Sequence, residues 1–507
     1  MKITAIIIAL VIWFNLGAQK TEWAITLTKQ SSNVSTDHKV CTDKENNFYI
    51  TANFTGTILF GSDIVLKSAN STGATDAFIA KIDPNGDKVL WGTQITGFGN
   101  IQAQNICTDQ DMNVYVAGSF EDKTTFGGTT TIIPKGKTGF FIAKYNSGGE
   151  FQWVKHGGNY YSALSGTAGA KSVKTDDSGN IYVAAYVMGM YDEWVHNPDL
   201  PVEEQYLGKA YYENEDISTD HFYTGTQTLI LKLSPSGELL WKKYCELFLL
   251  FNDMALDRDA NIYLTGVMSA TVMLEDRKME TRGLRDIVLL KMDPGGEYLW
   301  IKQFGAGEIA GSGNTATTPT DLEQGSYIDV DPDGNVYLSG IHYDGAKFDD
   351  ITLNTEAKLG NLAVGTIFLA KIDKDGRVQW AKNADAKKTI ATICGTVCDK
   401  QGNSYISAVI GLQKVSFDGH PAKGAFIAKF DKDGNVAWIN DADKSDFWSS
   451  TKVEVTYPGG LAINENNDYL YTTGNATKKS TDSNYLTGTT TVTTESIIAV
   501  SKVASGN

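Results

Sequence analysis

Apolar and polar positions along this chain recur as a unit: a short apolar run, a polar turn and a second run, then after a longer connection the same pairing again. In one copy Ala391 to Asp399 is followed by Lys400-Gln401-Gly402-Asn403 and by Ser404 to Ile410. After a loop come Ala425 to Asp431, the turn Lys432-Asp433-Gly434-Asn435, and Val436 to Asn440. This predicts four short strands joined by two tight hairpins. Alternation within Phe426-Ile427-Ala428-Lys429-Phe430 is imperfect, as expected of a sheet that buries both faces between neighbours.

Two segments mark the copies. One reads Asp-x-x-Gly-Asn-x-Tyr, at Asp43 to Tyr49, Asp109 to Tyr115, Asp176 to Tyr182, Asp257 to Tyr263, Asp331 to Tyr337 and Asp399 to Tyr405, with a degenerate form from Asn464 to Tyr469 or Tyr471. In such a turn Asp bonds the turn amides and Gly takes the positive φ. The other ends in Trp, at Phe78 to Trp91, Phe141 to Trp153, Ile230 to Trp241, Val288 to Trp300, Phe368 to Trp380 and Phe426 to Trp438. A last copy is split across the chain: it stops at Gly506-Asn507, and its missing Trp strand stands near the start as Thr21-Glu22-Trp23-Ala24-Ile25-Thr26-Leu27. Self-similarity at this period predicts an all-β, seven-bladed β-propeller of four-stranded antiparallel blades, its ring closed by the N-terminal strand pairing with the C-terminal blade. Closure removes two exposed sheet edges.

The stretch Asp76-Ala77-Phe78-Ile79-Ala80-Lys81-Ile82-Asp83-Pro84-Asn85-Gly86-Asp87-Lys88-Val89-Leu90-Trp91, with the Asp-x-x-Gly-Asn-x-Tyr segments, resembles the SBBP-type bacterial β-propeller repeat. The resemblance covers residues 21–507 and implies a propeller exported to the bacterial surface or envelope. It implies a fold and no particular chemistry.

Composition agrees with a globular β protein: 42% hydrophobic and 21% charged residues, with 50 Gly against 10 Pro. Residues 1–19 read as a signal peptide, with Lys2, the apolar run Ile3 to Phe14 and a cut near Ala18 or Gln19. Residues 20–507 are then one propeller domain, periplasmic or displayed at the cell surface, with no membrane span. The net charge of −16 argues against nucleic acid and favours cations or basic partners. The five cysteines have no paired spacing; Cys41, Cys107 and Cys398 close the same repeat strand, and buried free thiols are expected.

Strand order places the A–B and C–D hairpins at one end and the long B–C loops and D-to-A crossings at the other, where binding is expected. The longest loop is an insertion at about 188–227. Its Tyr191, Trp194, His196, Tyr206, Tyr211, Tyr212, His221 and Phe222 are the candidate partner- or ligand-binding residues, by stacking on a sugar or peptide. The plainer reading folds these aromatics over the propeller face as a cap on the channel. His196 and His221 are the one pair spaced to share a metal. Asp-x-Asp-Gly at Asp331, Asp373 and Asp431 resembles the head of a Ca²⁺ loop without its later ligands, so turn chemistry is expected there and no cofactor. Neither Cys-x-x-Cys nor Gly-x-Ser-x-Gly occurs. The expected function is a non-enzymatic envelope protein docking a protein partner. Alternatives are a glycan-binding or glycan-hydrolysing propeller, and, since the sequence ends within the last blade, a periplasmic accessory of an outer-membrane secretion or uptake machine.

Overall fold

The computed structural model describes residues 21–504 except 31–34, 36–37, 61–62, 70–72, 86–87, 161–166, 190–209, 219–224, 246–247, 275–276, 308–322, 360–361, 387–390, 412–413, 442–452, 465, 467–468 and 485–488. The described chain is all-β and antiparallel, with no helix among the described residues. The signal-peptide residues lie outside this set.

Seven sheets contain a four-stranded unit. The first is built of Lys39–Thr42, Phe48–Phe54, Asp76–Ile82 and Val89–Gly97, in that order. The last is built of Val453–Ile463, Tyr469–Asn484, Thr489–Ala504 and Thr21–Gln30. Residues 21–28 thus pair antiparallel with 497–503, Ile25 opposite Val500, joining the two ends of the chain in one sheet. Each unit's first strand packs against the first strand of the next, and Val453–Ile463 packs against Lys39–Thr42. Thr42 Oγ1 donates to Ile463 O (2.8 Å), and Thr108 Oγ1 donates to Thr42 O (2.9 Å).

The repeat letters have separate jobs. Asp331 Oδ1 accepts the backbone N–H groups of Asp333 and Asn335 at 3.0 and 2.9 Å, while Oδ2 accepts from Asn335 Nδ2 at 2.9 Å and from Tyr337 OH at 3.2 Å. One carboxylate therefore fixes the turn and the strand after it. The Gly slot has φ 82° at Gly334, yet Asn46 (64°) and Ala260 (60°) hold the same left-handed conformation without it. The Asp-x-Asp-Gly carboxylates are occupied by such turn bonds, at Asp373 and Asp431 as at Asp331.

The repeat Lys and Trp join one sheet to the next. Lys232 Nζ (3.2 Å) and Trp241 Nε1 (3.1 Å) both donate to Pro294 O, in the outer turn of the following unit. Lys291 and Trp300 do the same to Lys374 O, at 3.3 and 3.1 Å. The lysine stem lies over the repeat tyrosine, with Lys291 Nζ 4.8 Å from the Tyr263 ring centroid. Buried Lys81 also pairs with Asp43 at 3.2 Å. Apolar burial follows the same plan: one cluster combines Tyr115 and Ile142 of the second unit with Val173 and Leu231 of the third, so the core lies between sheets.

Several expectations change. The loops between second and third strands carry accessory hairpins laid on the preceding sheet: Thr124–Phe126 and Thr130–Ile132 extend the first sheet beyond Val89–Gly97. The long insertion is narrower than 188–227, because Met188 and Gly189 pair with Thr226 and Gly225 in the third unit. Cys398 pairs opposite Ser404, one residue beyond the position that Cys41 and Cys107 occupy opposite Tyr49 and Tyr115. All five cysteines are free; Cys107, Cys245 and Cys398 are buried, while Cys41 and Cys394 are partly exposed.

Candidate functional site

The first strands of the seven units surround an axial cavity. Its lower part, about 320 Å³, is lined by residues from all seven, among them Lys39, Cys107, Lys174, Asp253, Asp329, Thr396 and Gly460. An upper part of about 520 Å³ lies toward the strand starts, which is the long-loop end. Lys39, Lys171, Asn252 and Tyr327 line both parts.

A displaced register feeds the upper part. In six of the seven first strands the pairing shifts by one residue, once each at Gln104, Lys171, Asn252, Ser326 and Cys394 and twice within Val453–Ile463. A bulge of this kind re-aims a side chain. Gln104, Lys171, Asn252 and Ser326 line the upper cavity, as do Gln102 and Gln324. Across the axis Lys39 Nζ reaches Tyr327 OH at 3.4 Å and stands 5.2 Å from its ring centroid, linking the first unit to the fifth.

The floor is a charge cluster. Burial pulls the Lys174 ammonium down, but the nearby carboxylates, Asp253 foremost and Asp329 with it, act against that, so its pKa is raised and it stays charged. Asp329 is raised by burial, against the pull of the Cys398 N–H (2.8 Å) and Lys174. Asp253 accepts from Ser172 Oγ (3.0 Å), Met254 N (2.9 Å) and Ile328 N (3.3 Å). Both acids are thus turned toward protein donors. Burial pushes Cys107 up to about 12 and holds Cys41 and Cys398 well above the ordinary thiol value, so none is an activated nucleophile. Among the described residues no three His, Cys, Asp or Glu side chains converge as metal ligands.

Of the insertion candidates, Tyr191, Trp194, His196, Tyr206, His221 and Phe222 lie outside the described residues. Tyr211 and Tyr212 are corrected from contact candidates to packing residues. They sit in Ala210–Tyr212, paired to the outer strand Phe151–Asn159 of the second unit, and are 0% and 3% exposed. Tyr211 OH accepts from Lys135 N (3.0 Å), and Tyr212 OH donates to Gly237 O (2.8 Å). They brace the outside of a sheet and do not cap the channel.

Near the long-loop end, His342 is fully buried, its Nδ1 bonded to Tyr343 O at 2.8 Å. Burial lowers its pKa to about 4, opposed by that bond and by Asp344. The unfolded chain therefore takes up this proton near pH 6.5 and the folded one only near 4, so stability is lost as pH falls through that window. At 1.36 kcal/mol per unit the loss approaches about 3 kcal/mol. His342→Gln is expected to flatten the drop in melting temperature between pH 7 and pH 4; an unchanged pH profile would refute the assignment.

No family model matches the chain. It is 22% identical to an uncharacterized WD repeat-containing protein of Acanthamoeba polyphaga mimivirus, over 85% of this chain and 35% of that protein, so it spans about a third of that relative's length. Solved structures aligned with it include a protein of unknown function from Bacteroides caccae, with 11% identity, 73% of this chain, 92% of that chain and a TM-score of 0.35. A Synechocystis apocarotenoid oxygenase variant aligns at 10% identity over 96% and 94% of the two chains, with a TM-score of 0.38. The chain is a β-rich repeat protein.

Proposed function

We propose that the chain is a seven-bladed β-propeller closed by its N-terminal strand, and that it serves as an exported, non-enzymatic binding protein of the bacterial envelope. Its partner is a protein, docked on the long-loop end. The observation that carries this reading is the convergence of seven equivalent strands on one axial cavity that widens toward that end. Pairing of 21–28 with 497–503 supports closure. The WD-repeat relative supports the architecture, since WD repeats build propeller blades. Export rests on the basic head and apolar run of residues 1–19.

The test uses the mature protein, immobilised and exposed to envelope extract, beside a variant lacking residues 190–209. That deletion spares the Ala210–Tyr212 strand, which braces the second sheet. The full-length protein is expected to capture a partner that the variant loses; identical capture by both would remove the insertion from the docking surface. A glycan-binding reading is favoured by a different observation, the side-chain amides Asn53, Gln102, Gln104, Asn252 and Gln324 around the upper cavity.

A further inference from the structure

The upper cavity has the opposite electrostatic character to the protein that contains it. The chain carries 60 acidic against 44 basic residues, yet among the described residues lining this cavity there are two lysines, Lys39 and Lys171, and no carboxylate. The acids nearest below, Asp253 and Asp329, are engaged by backbone and serine donors, and Lys174 sits between them in charge. Among the described residues, the lining of the upper cavity thus offers a ligand two ammonium groups and no carboxylate, in a concave site whose walls focus the field.

The remaining lining says what kind of anion fits. Most small-molecule pockets are chiefly apolar with a few polar anchors. This one is chiefly polar, with five side-chain amides and, among the described residues, Ala103, Ile341 and Ile393 as its aliphatic members. Amides present donor and acceptor together, the pairing that vicinal hydroxyls require. The Tyr327 ring supplies one flat face beside Lys39. The volume of about 520 Å³ suits one or two sugar rings and excludes a folded chain.

We propose that the axial cavity binds a small anionic carbohydrate, a sugar bearing a carboxylate, with Lys171 and Lys39 meeting the charge and the five lining amides meeting the hydroxyls. This rests on the long-loop end being the working end, and it adds a small-molecule site inside a surface read above as a protein dock.

Saturation-transfer NMR and calorimetry on the mature protein would use glucuronate and galacturonate as probes, glucose and galactose as neutral controls and acetate as an anion without hydroxyls. Lys171 is exposed, so Lys171→Gln should fold, which an unchanged melting temperature would verify. The uronates are expected to bind, with Kd raised about tenfold by Lys171→Gln and raised also by 0.5 M salt, consistent with loss of one partly solvated charge pair. Neutral sugars binding as tightly as uronates would overturn the anionic assignment, and acetate binding as tightly would overturn the carbohydrate one. Silence from every probe would overturn the inference while leaving protein capture by the loops, read separately in the envelope pull-down, standing or falling by its own result.

Discussion

Deleting residues 21–29 is expected to lower the melting temperature by about 10 °C and to increase the protein's self-association. The strand forms seven register pairs with 497–503 and three with 57–59, so it lies between two other strands of its sheet. At about 1 kcal/mol per backbone hydrogen bond, its removal costs on the order of 10 kcal/mol. A chain of this size has an unfolding entropy near 1 kcal/mol per degree, which sets the conversion to temperature. Two strand edges are uncovered at once, and uncovered edges recruit other chains. Calorimetry and size-exclusion chromatography would report both effects. An unshifted melt with unchanged elution would show that the strand is dispensable and would remove the support for a closed ring.

Gly340→Leu is expected to cost about 4 kcal/mol, the next largest effect, from a single side chain. A Cβ at position 340 would overlap the Gln324 carbonyl oxygen and stand 2.9 Å from Phe368 Cε1. Gly118 faces the Gln102 carbonyl and Gly266 the Leu250 carbonyl in the same way. All three sit opposite the bulge in a first strand, which brings that carbonyl inward. Backbone cannot yield as a flexible side chain does, so the strain stays in the sheet. Gly345 is the control: its φ is 80° but nothing lies within 4 Å of a Cβ there, and Gly345→Ala should cost only about 1 kcal/mol. Equal melting temperatures for the two variants would contradict this account.

The strands, their turns and the pairing of the chain's ends were legible because each is a local pattern. Asp-x-x-Gly-Asn-x-Tyr states a turn, and the hydrogen bonds of Asp43 and Asp331 are the ones that pattern demands. The split Trp segment was equally readable, since 21–28 pair with 497–503. The axial cavity was not, because each unit gives it a residue of different chemistry and no short spacing connects them. The signal was a column: two residues before each repeat Asp or its Asn equivalent stand Cys41, Cys107, Lys174, Ala255, Asp329, Val397 and Ala462, of which all but Ala255 line the lower cavity. Reading down that column finds Lys174 and Asp329 of the charge cluster, while Asp253 stands two residues earlier in its own strand. Tyr211 and Tyr212 misled for a related reason. Aromatics in an insertion look like contact residues until a strand pairing that sequence periodicity does not announce, that of Ala210–Tyr212 with Phe151–Asn159, turns them inward. Net charge averages over the whole surface, so it carries no sign of a cavity whose described lining holds two lysines and no carboxylate.

The shared acceptor of Lys and Trp has a consequence for how such a gene can grow. The fourth repeat encodes both the donors that reach forward, Lys291 and Trp300, and the turn carbonyl that receives the previous pair, Pro294 O, and the fifth does the same with Lys371, Trp380 and Lys374 O. A tandem duplication of one such repeat therefore carries with it the donors for one joint and the acceptor for the other. In the closed ring proposed above, copy number is then limited by the circumference that the inner strands can close, and the bore of the axis becomes the property that duplication or loss would retune.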